Sequence, residues 1–489
     1  MSSFVHLDRD GGRPLYRQVV DGIVARIRTG SLAPGARLPT VRALARELAV
    51  TRPTVHKAYA ALRTAGYVTS TVGRGTFVCA VPGLTAAAAA RRITPDDVMS
   101  DIQRLRAEPG LTRLAHAEPD PALCPTRDFW RALARLEPDA RELLQYGSTQ
   151  GDGVLRAELA ALLRTRGIAA AAADVIVTAG VTQGLSLAVE SLAARGDTVL
   201  VEQPTYLGLL QILEQQGVRP LPVPLDDEGP RLDVLERLVV EHQPRLFYTI
   251  PSFHNPTGVN MSADRRRAVA ELAARHALVL VEDDLYRALA YEREPPPPLK
   301  AVGDPELVIY LDGFSKLALP GLRAGYAVPP RRLRDRMLRA KRASDLCGPP
   351  LLERALGDFL HAGALQRHMR RAVPRYRRRR DALLTALAET MPDGVEWTRP
   401  AGGFCCWLSY PRTPRLADLY RAARDRALVV APGEVFLTGK SERGHLRLTF
   451  GNESEAVLRR AATALAELFA ERMSVSGQLT TAGDWTPMV

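Results

Sequence analysis

The feature that most constrains this fold is a change of pattern near residue 80. Ahead of it, apolar residues recur at helical spacing on a strongly basic background. Behind it, helical stretches alternate with short β-rich runs, and single polar residues stand just after several of those runs. One core does not serve both regimes, and 489 residues exceed what a single core organises, so at least two domains are expected. The balance of 46% apolar and 25% charged residues is ordinary for a globular chain.

Residues 1–80 hold 12 Lys and Arg against 4 acids, a net +8 of the +12 carried by the whole chain. A positive field confined to one small segment suits a polyanion such as double-stranded DNA, whose condensed counterions are released when phosphates are neutralised. Leu15, Val19, Ile23 and Ile27 recur every four residues from Pro14 to Thr29, the stripe of an amphipathic helix. Thr40 starts a second short helix with Val41, Leu44, Ala45 and Leu48 inward, and Thr51 caps a third whose inner face is Val55, Ala58, Tyr59 and Leu62. Short β runs at Tyr67–Ser70 and Thr76–Val78 flank Gly73-Arg74-Gly75, which predicts a two-stranded wing. In such an arrangement the third helix enters the major groove, so Thr51, Arg52, Thr54, His56 and Lys57 are the candidate DNA contacts, with Arg74 at the wing tip.

Residues 80–112 turn to Pro, Gly and an Ala86–Ala90 run and are expected to form a linker between a winged helix at 1–79 and a body at 113–472, with a loose tail at 473–489. Within the body, β-rich runs at Val175–Val177, Val199–Val201, Leu246–Ile250, Leu278–Val281, Val308–Leu311 and Ala324–Val328 alternate with helical patterns. That alternation predicts an α/β fold with a mostly parallel sheet and helices on both faces. Two later runs, Gly403–Leu408 and His445–Thr449, predict a smaller α+β subdomain. Arg375 and Arg377–Arg380 form a basic run that on a helix reads as a solvated face.

Open α/β sheets bind ligands beyond the carboxyl ends of their strands. There the chain places Gly180-Val181-Thr182-Gln183, a helix start rich in donors for a phosphate, then Tyr206, Asn255, Asp283, Tyr286 and Lys316. The set matches the needs of pyridoxal 5'-phosphate. A lysine amine forms a Schiff base with its aldehyde, and a carboxylate opposite the ring nitrogen keeps that nitrogen protonated, roles that fit Lys316 and Asp283. Asn255 and Tyr286 suit the ring oxygen, Tyr206 a face of the ring, Arg323 the phosphate dianion, and Arg447 a substrate carboxylate. No HxxxH, HExxH or CxxC spacing occurs, so no metal is expected, and Cys79, Cys124, Cys347, Cys405 and Cys406 read as reduced thiols. No apolar run is long enough for a membrane span and the first residues do not read as a signal peptide, which predicts a cytoplasmic protein.

The anchors Pro14-Leu15-Tyr16, Leu38-Pro39-Thr40, Val50-Thr51-Arg52, Ala58-Tyr59 and Gly73-Arg74-Gly75-Thr76-Phe77-Val78 resemble the GntR-type winged helix. From about Asp120 to Met473 the chain resembles fold-type I aminotransferases, through Asn255-Pro256-Thr257-Gly258 and Ser315-Lys316 followed by Pro320-Gly321-Leu322-Arg323-Ala324-Gly325-Tyr326. The fusion resembles the MocR subgroup of GntR regulators. That resemblance implies a head-to-tail homodimer in which Tyr146 contacts the phosphate of the neighbouring subunit. It also implies a regulator that senses an amino acid, an amine or the cofactor itself and binds an operator with two half-sites. The alternative is a working aminotransferase of α-amino acids with an accessory DNA-binding module. One departure stands out: many relatives carry Ser or Thr three residues before the lysine, where this chain has Gly313, which puts its cofactor affinity in question.

Overall fold

Apolar residues four apart along Leu15–Arg28 (α1) leave Val19, Ile23 and Ile27 facing one way, and all three are buried. They meet Leu44 and Ala45 of α2 (Val41–Glu47) and Val55, Ala58, Tyr59 and Leu62 of α3 (Arg52–Thr64) in one small core. Thr40 opens α2 by accepting a hydrogen bond from the Ala43 amide at 3.2 Å, satisfying one of the free donors at a helix start. Tyr59 fastens α3 to the segment ahead of α2 through its hydroxyl, which donates to the Pro39 carbonyl at 2.7 Å. Strands β1 (Val68–Thr71) and β2 (Gly75–Val78) pair antiparallel as the wing, in a register that sets Val68 opposite Val78.

The computed structural model describes residues 14–28, 32, 35–64, 67–71, 75–79, 95–106, 108–411, 416–439 and 441–475. The wing tip with Arg74 and residues 80–94 of the expected linker lie outside them. The chain divides into two units, Met1–Ile93 and Thr94–Val489. Among the described residues no helix is long and apolar enough to cross a membrane.

Within the span 80–112, expected to be a linker with no amphipathic period, Pro95–Leu105 is a helix (α4) belonging to the second unit. Its amphipathic signal is short: Ile102 and Leu105 are buried at i, i+3 spacing, and the adjoining Pro, Gly and Ala residues dilute it. Past α4, the two-residue strand β3 (Thr112–Arg113) pairs in parallel with β14 (Leu428–Val429).

The main sheet has eight strands in the order β4-β11-β10-β9-β8-β5-β6-β7. These are β4 (Ile176–Thr178), β5 (Thr198–Gln203), β6 (Arg219–Asp226), β7 (Gly229–Pro230), β8 (Phe247–Thr249), β9 (Leu280–Asp283), β10 (Val308–Gly313) and β11 (Gly325–Val328). All neighbours from β10 to β6 run parallel, whereas β11 and β7 pair antiparallel. The central residues of β4, β5, β8, β9, β10 and β11 are buried on both faces, as the apolar runs require. Strand β6 had no counterpart in the sequence reading because Pro220, Pro222 and Pro224 argue against a strand. They are tolerated because the missing donors all fall on one edge: Arg219 N bonds Asp197 O at 2.8 Å, so the intervening residues serve β5.

The smaller subdomain is an antiparallel sheet of β12 (Glu396–Trp397), β13 (Cys405–Pro411), β16 (Arg443–Thr449) and β15 (Ala431–Pro432). The long helix Ala364–Thr390 packs on the closing helix Glu455–Val475, which runs past the Met473 where the tail was expected to begin. The basic run on Ala364–Thr390 is not a uniformly solvated face. Arg380 is buried with Nη1 on the Pro400 carbonyl at 2.9 Å, and Arg379 donates to the Gly451 carbonyl at 2.6 Å.

Candidate functional site

Five strands of the main sheet lead at their carboxyl ends into candidate site residues. Asp283 is the last residue of β9, Lys316 lies three residues past β10, and Asn255 follows β8. Tyr206 stands at the start of helix Leu207–Gln216 after β5, and Gly180 at the start of helix Val181–Leu192 after β4.

Lys316 is half-buried, and its Nζ donates to the Ala117 carbonyl at 2.7 Å. Loss of solvent lowers its pKa, which enlarges the neutral, nucleophilic fraction of the amine. Burial raises Asp283 to about 7, an effect tempered by the Tyr248 hydroxyl, which donates to its Oδ2 at 2.9 Å. Arg447 is 9% exposed and donates from Nη1 to Asn255 Oδ1 at 2.9 Å and from Nη2 to the Ala115 carbonyl at 2.5 Å. Its guanidinium carbon lies 4.7 Å from the centre of the Phe436 ring. Cys405 Sγ shares the same Asn255 oxygen at 3.5 Å.

Beside these groups the backbone closes into a cradle. Gly180 has φ +83, and a Cβ there would meet Arg323 Nη2 at 2.8 Å. A Cβ on Gly325 would stand 2.7 Å from the Gly180 carbonyl carbon, and one on Gly313 would stand 3.0 Å from the Ala324 oxygen. Gly313 therefore lies where backbones meet, which gives the departure at this position a steric reason. Arg323, itself left-handed at φ +51, donates to Ser315 Oγ at 3.0 Å. The uncapped amides of helix Val181–Leu192 open onto this cradle, and the Tyr206 hydroxyl bonds the Thr182 side chain.

Two candidates stand apart. Gln183 accepts from the Ala179 amide at 2.8 Å and donates to Asp345 Oδ2 at 2.8 Å, so its side chain braces the loop instead of facing the cradle. Tyr146 is 87% exposed and is not brought to this site within its own chain. Tyr248 was missed by the sequence reading, since a tyrosine inside the apolar run Leu246–Ile250 carries no polar signal. Among the described residues no group of three His, Cys, Asp or Glu is placed to hold a metal ion.

The donor set fits pyridoxal phosphate. The Tyr286 hydroxyl and Arg447 Nε are buried without a partner among the described residues, and a buried donor left so is costly unless a ligand meets it. A lysine, a buried carboxylate, a glycine cradle at a helix start and an arginine complete what that cofactor needs.

In the first unit, Thr51, Arg52, His56 and Lys57 are exposed and Thr54 is half-buried, along the start of α3. The Thr51 and Thr54 hydroxyls pair at 2.9 Å, and Lys57 Nζ lies 4.3 Å over the Tyr16 ring of α1. Arg52 borders a depression with Thr40, Arg42, Arg46 and Val50. Arg42 and Arg46 extend the basic face onto α2, which the focus on the third helix had hidden.

The fold and site define a pyridoxal phosphate-dependent body of the aminotransferase type carrying a DNA-binding module. Residues 112–465 match the family described as aminotransferase class I and II, and residues 15–78 match the gntR family of bacterial regulatory proteins. The chain is 30% identical to the HTH-type transcriptional regulator YisV of Bacillus subtilis, over 95% of this chain and 97% of that protein. It is 29% identical to the probable rhizopine catabolism regulatory protein MocR of Rhizobium meliloti, over 87% and 88%. Among solved structures it is similar to LysN, the α-aminoadipate aminotransferase of Thermus thermophilus, complexed with N-(5'-phosphopyridoxyl)-L-leucine. The TM-score is 0.72 and the identity 30%, over 77% of this chain and 95% of that one. The chain belongs to the aminotransferase class I and II family and, with its gntR module, to the HTH-type regulators that include MocR.

Proposed function

We propose that the protein binds DNA through its N-terminal unit and senses an amino acid or amine, or pyridoxal phosphate itself, in its aminotransferase-like unit. The observation that carries this reading is that Lys316 and Asp283, at the carboxyl ends of main-sheet strands, meet Arg447 of the smaller sheet, which reaches Asn255, in a chain whose other unit presents a basic helix face. When bound, pyridoxal phosphate supplies an electron-withdrawing ring that stabilises negative charge beside the substrate nitrogen. Lys316 would offer its amine to the aldehyde, and Asp283 would hold the proton on the ring nitrogen. Asn255 and Tyr286 would hydrogen-bond the ring oxygen, Tyr206 would take a face of the ring, and Arg323, Thr182 and the helix amides would hold the phosphate. Gln183 supports that loop, and Tyr146 reaches the phosphate from a second copy. Arg447 takes the effector carboxylate. Thr51, Arg52, Thr54, His56, Lys57 and Arg74 contact DNA, and a cytoplasmic homodimer spans an operator with two half-sites.

The test is borohydride trapping after incubation with pyridoxal phosphate, followed by peptide mapping. The reading expects the adduct on Lys316 and a change in operator affinity when an amino acid is added; no adduct removes it. A second reading, turnover as an aminotransferase, is favoured by the similarity to LysN, an aminotransferase, and by the complete residue set. Steady accumulation of a new amino acid from an added keto acid would support it.

A further inference from the structure

A second cluster of cations lies away from the candidate cofactor residues. Helix Thr126–Ala134 brings Arg127 and Arg131, and the long helix Ala364–Thr390 brings His368, Arg371 and Arg375, to one cavity of about 520 Å³. None of the candidate cofactor residues lines it. His368, Arg371 and Arg375 stand at i, i+3 and i+7, so a single face of the long helix supplies all three. The one carboxylate in the lining is Asp128, and Arg131 already holds it at 3.3 Å. Arg127, Arg371 and Arg375 are exposed and have no ion pair among the described residues. Helix Thr126–Ala134 begins at the cavity without a side-chain cap, which adds its positive end to the same place. Beneath this rim His368 is 3% exposed. Its Nε2 donates to the Leu317 carbonyl at 2.9 Å, and its Nδ1 has no partner among the described residues.

We propose that this cavity is a second ligand site, which takes a small organic anion carrying two or more negative charges, a phosphate ester or a polycarboxylate. Guanidiniums gathered about a concavity repel one another, and its low-dielectric walls focus their field inward, so a multivalent anion is favoured over a monovalent one. Guanidinium forks match the paired oxygens of phosphate and carboxylate alike. The volume is that of a metabolite and exceeds what a lone inorganic ion fills. His368 Nδ1 adds a fixed polar contact, as acceptor from a ligand hydroxyl or, when the ring is protonated, as donor to an oxygen. The site goes beyond the sensing reading and does not depend on chemistry at Lys316.

Isothermal titration calorimetry on the full chain in excess pyridoxal phosphate tests this, with pyrophosphate and citrate as probes and acetate as the monovalent control. The proposal expects one site per chain for at least one of the two probes, weakened about tenfold by Arg371→Ala and by Arg375→Ala. Arg370→Ala should leave that affinity unchanged. Arg370 is exposed and adjoins Arg371 in the chain but does not line the cavity, so its removal deletes the same charge without touching the site. The probe that binds more tightly tells a phosphate-ester site from a polycarboxylate site. Absence of binding with both probes overturns the proposal, as does a site that Arg371→Ala and Arg375→Ala leave intact. Equal weakening by Arg370→Ala, or acetate binding as tightly as the probes, overturns it too, because either result marks a diffuse charge effect.

Discussion

The two units keep their candidate functional groups in opposite places. In the N-terminal unit an apolar core of helix faces carries exposed Arg52, His56 and Lys57 outside it. In the C-terminal unit several of the candidate groups are inside: Asp283 is 5% exposed, Tyr286 3% and Arg447 9%. An exposed cation costs little to hold, so its removal changes binding and leaves the fold alone. A buried polar group is held against desolvation, so its removal changes ligand binding and stability together, in opposite directions where the group is poorly compensated.

The largest effect expected is from Lys316→Ala, which should abolish the cofactor absorbance band outright while the DNA affinity of cofactor-free protein stays within about twofold. Loss of DNA binding in that variant would break the separation of the two units. The mirror-image change, Arg52→Ala, should weaken operator binding by about tenfold to hundredfold in a fluorescence anisotropy titration, leaving the band untouched.

Asp283→Asn sharpens the comparison further. Burial raises this carboxyl from 3.8 to about 7, so the folded protein prefers it protonated. The penalty on stability is absent below the ordinary carboxylate pKa, grows as pH rises toward 7, and is full above it. Thermal melts of cofactor-free protein should therefore show the Asn variant stabilised by about 2 kcal/mol at pH 8 and hardly at all at pH 4. Equal effects at both values would contradict the assignment. Cofactor retention should fall in the same variant, because the ring nitrogen loses its anion.

Gly313→Ser is a smaller perturbation. The crowding of its Cβ by the Ala324 oxygen and Gly325 predicts that restoring the hydroxyl lowers cofactor affinity, by about fivefold, instead of raising it. A tighter complex would show that the cradle yields. Smallest is Thr40→Ala, which should cost the N-terminal unit about 1 kcal/mol in denaturant unfolding and leave cofactor binding unaltered.

How much of this was legible in the sequence follows from the same contrast. The strands of the main sheet announced themselves because burial on both faces demands unbroken apolar runs. Asp283, Asn255 and Lys316 were visible because each stands within a few residues of the end of such a run, and Arg323 because it follows Lys316 by seven residues. β6 was hidden because three prolines obey an edge rule that depends on which neighbour the strand pairs with, and that is a tertiary fact. α4 was hidden by its low-complexity surroundings. Tyr248 and the carbonyls of Ala115 and Ala117 were hidden for a deeper reason: a polar tip inside an apolar run, and a backbone oxygen, have no sequence signature. Gln183 illustrates the converse, since its position at a helix start suggested a phosphate contact while Asp345, 162 residues away in the chain, claims its amide.

In the function proposed, chemistry at Lys316 governs the grip of the basic helix on DNA. The most direct measurement is the dissociation constant for the DNA upstream of the protein's own gene, taken with and without pyridoxal phosphate and a panel of amino acids, for wild type and Lys316→Ala. The prediction is a shift of about fivefold or more in wild type for at least one amino acid and none in the variant. A constant that is the same in every condition, or a shift that survives in the variant, would contradict it.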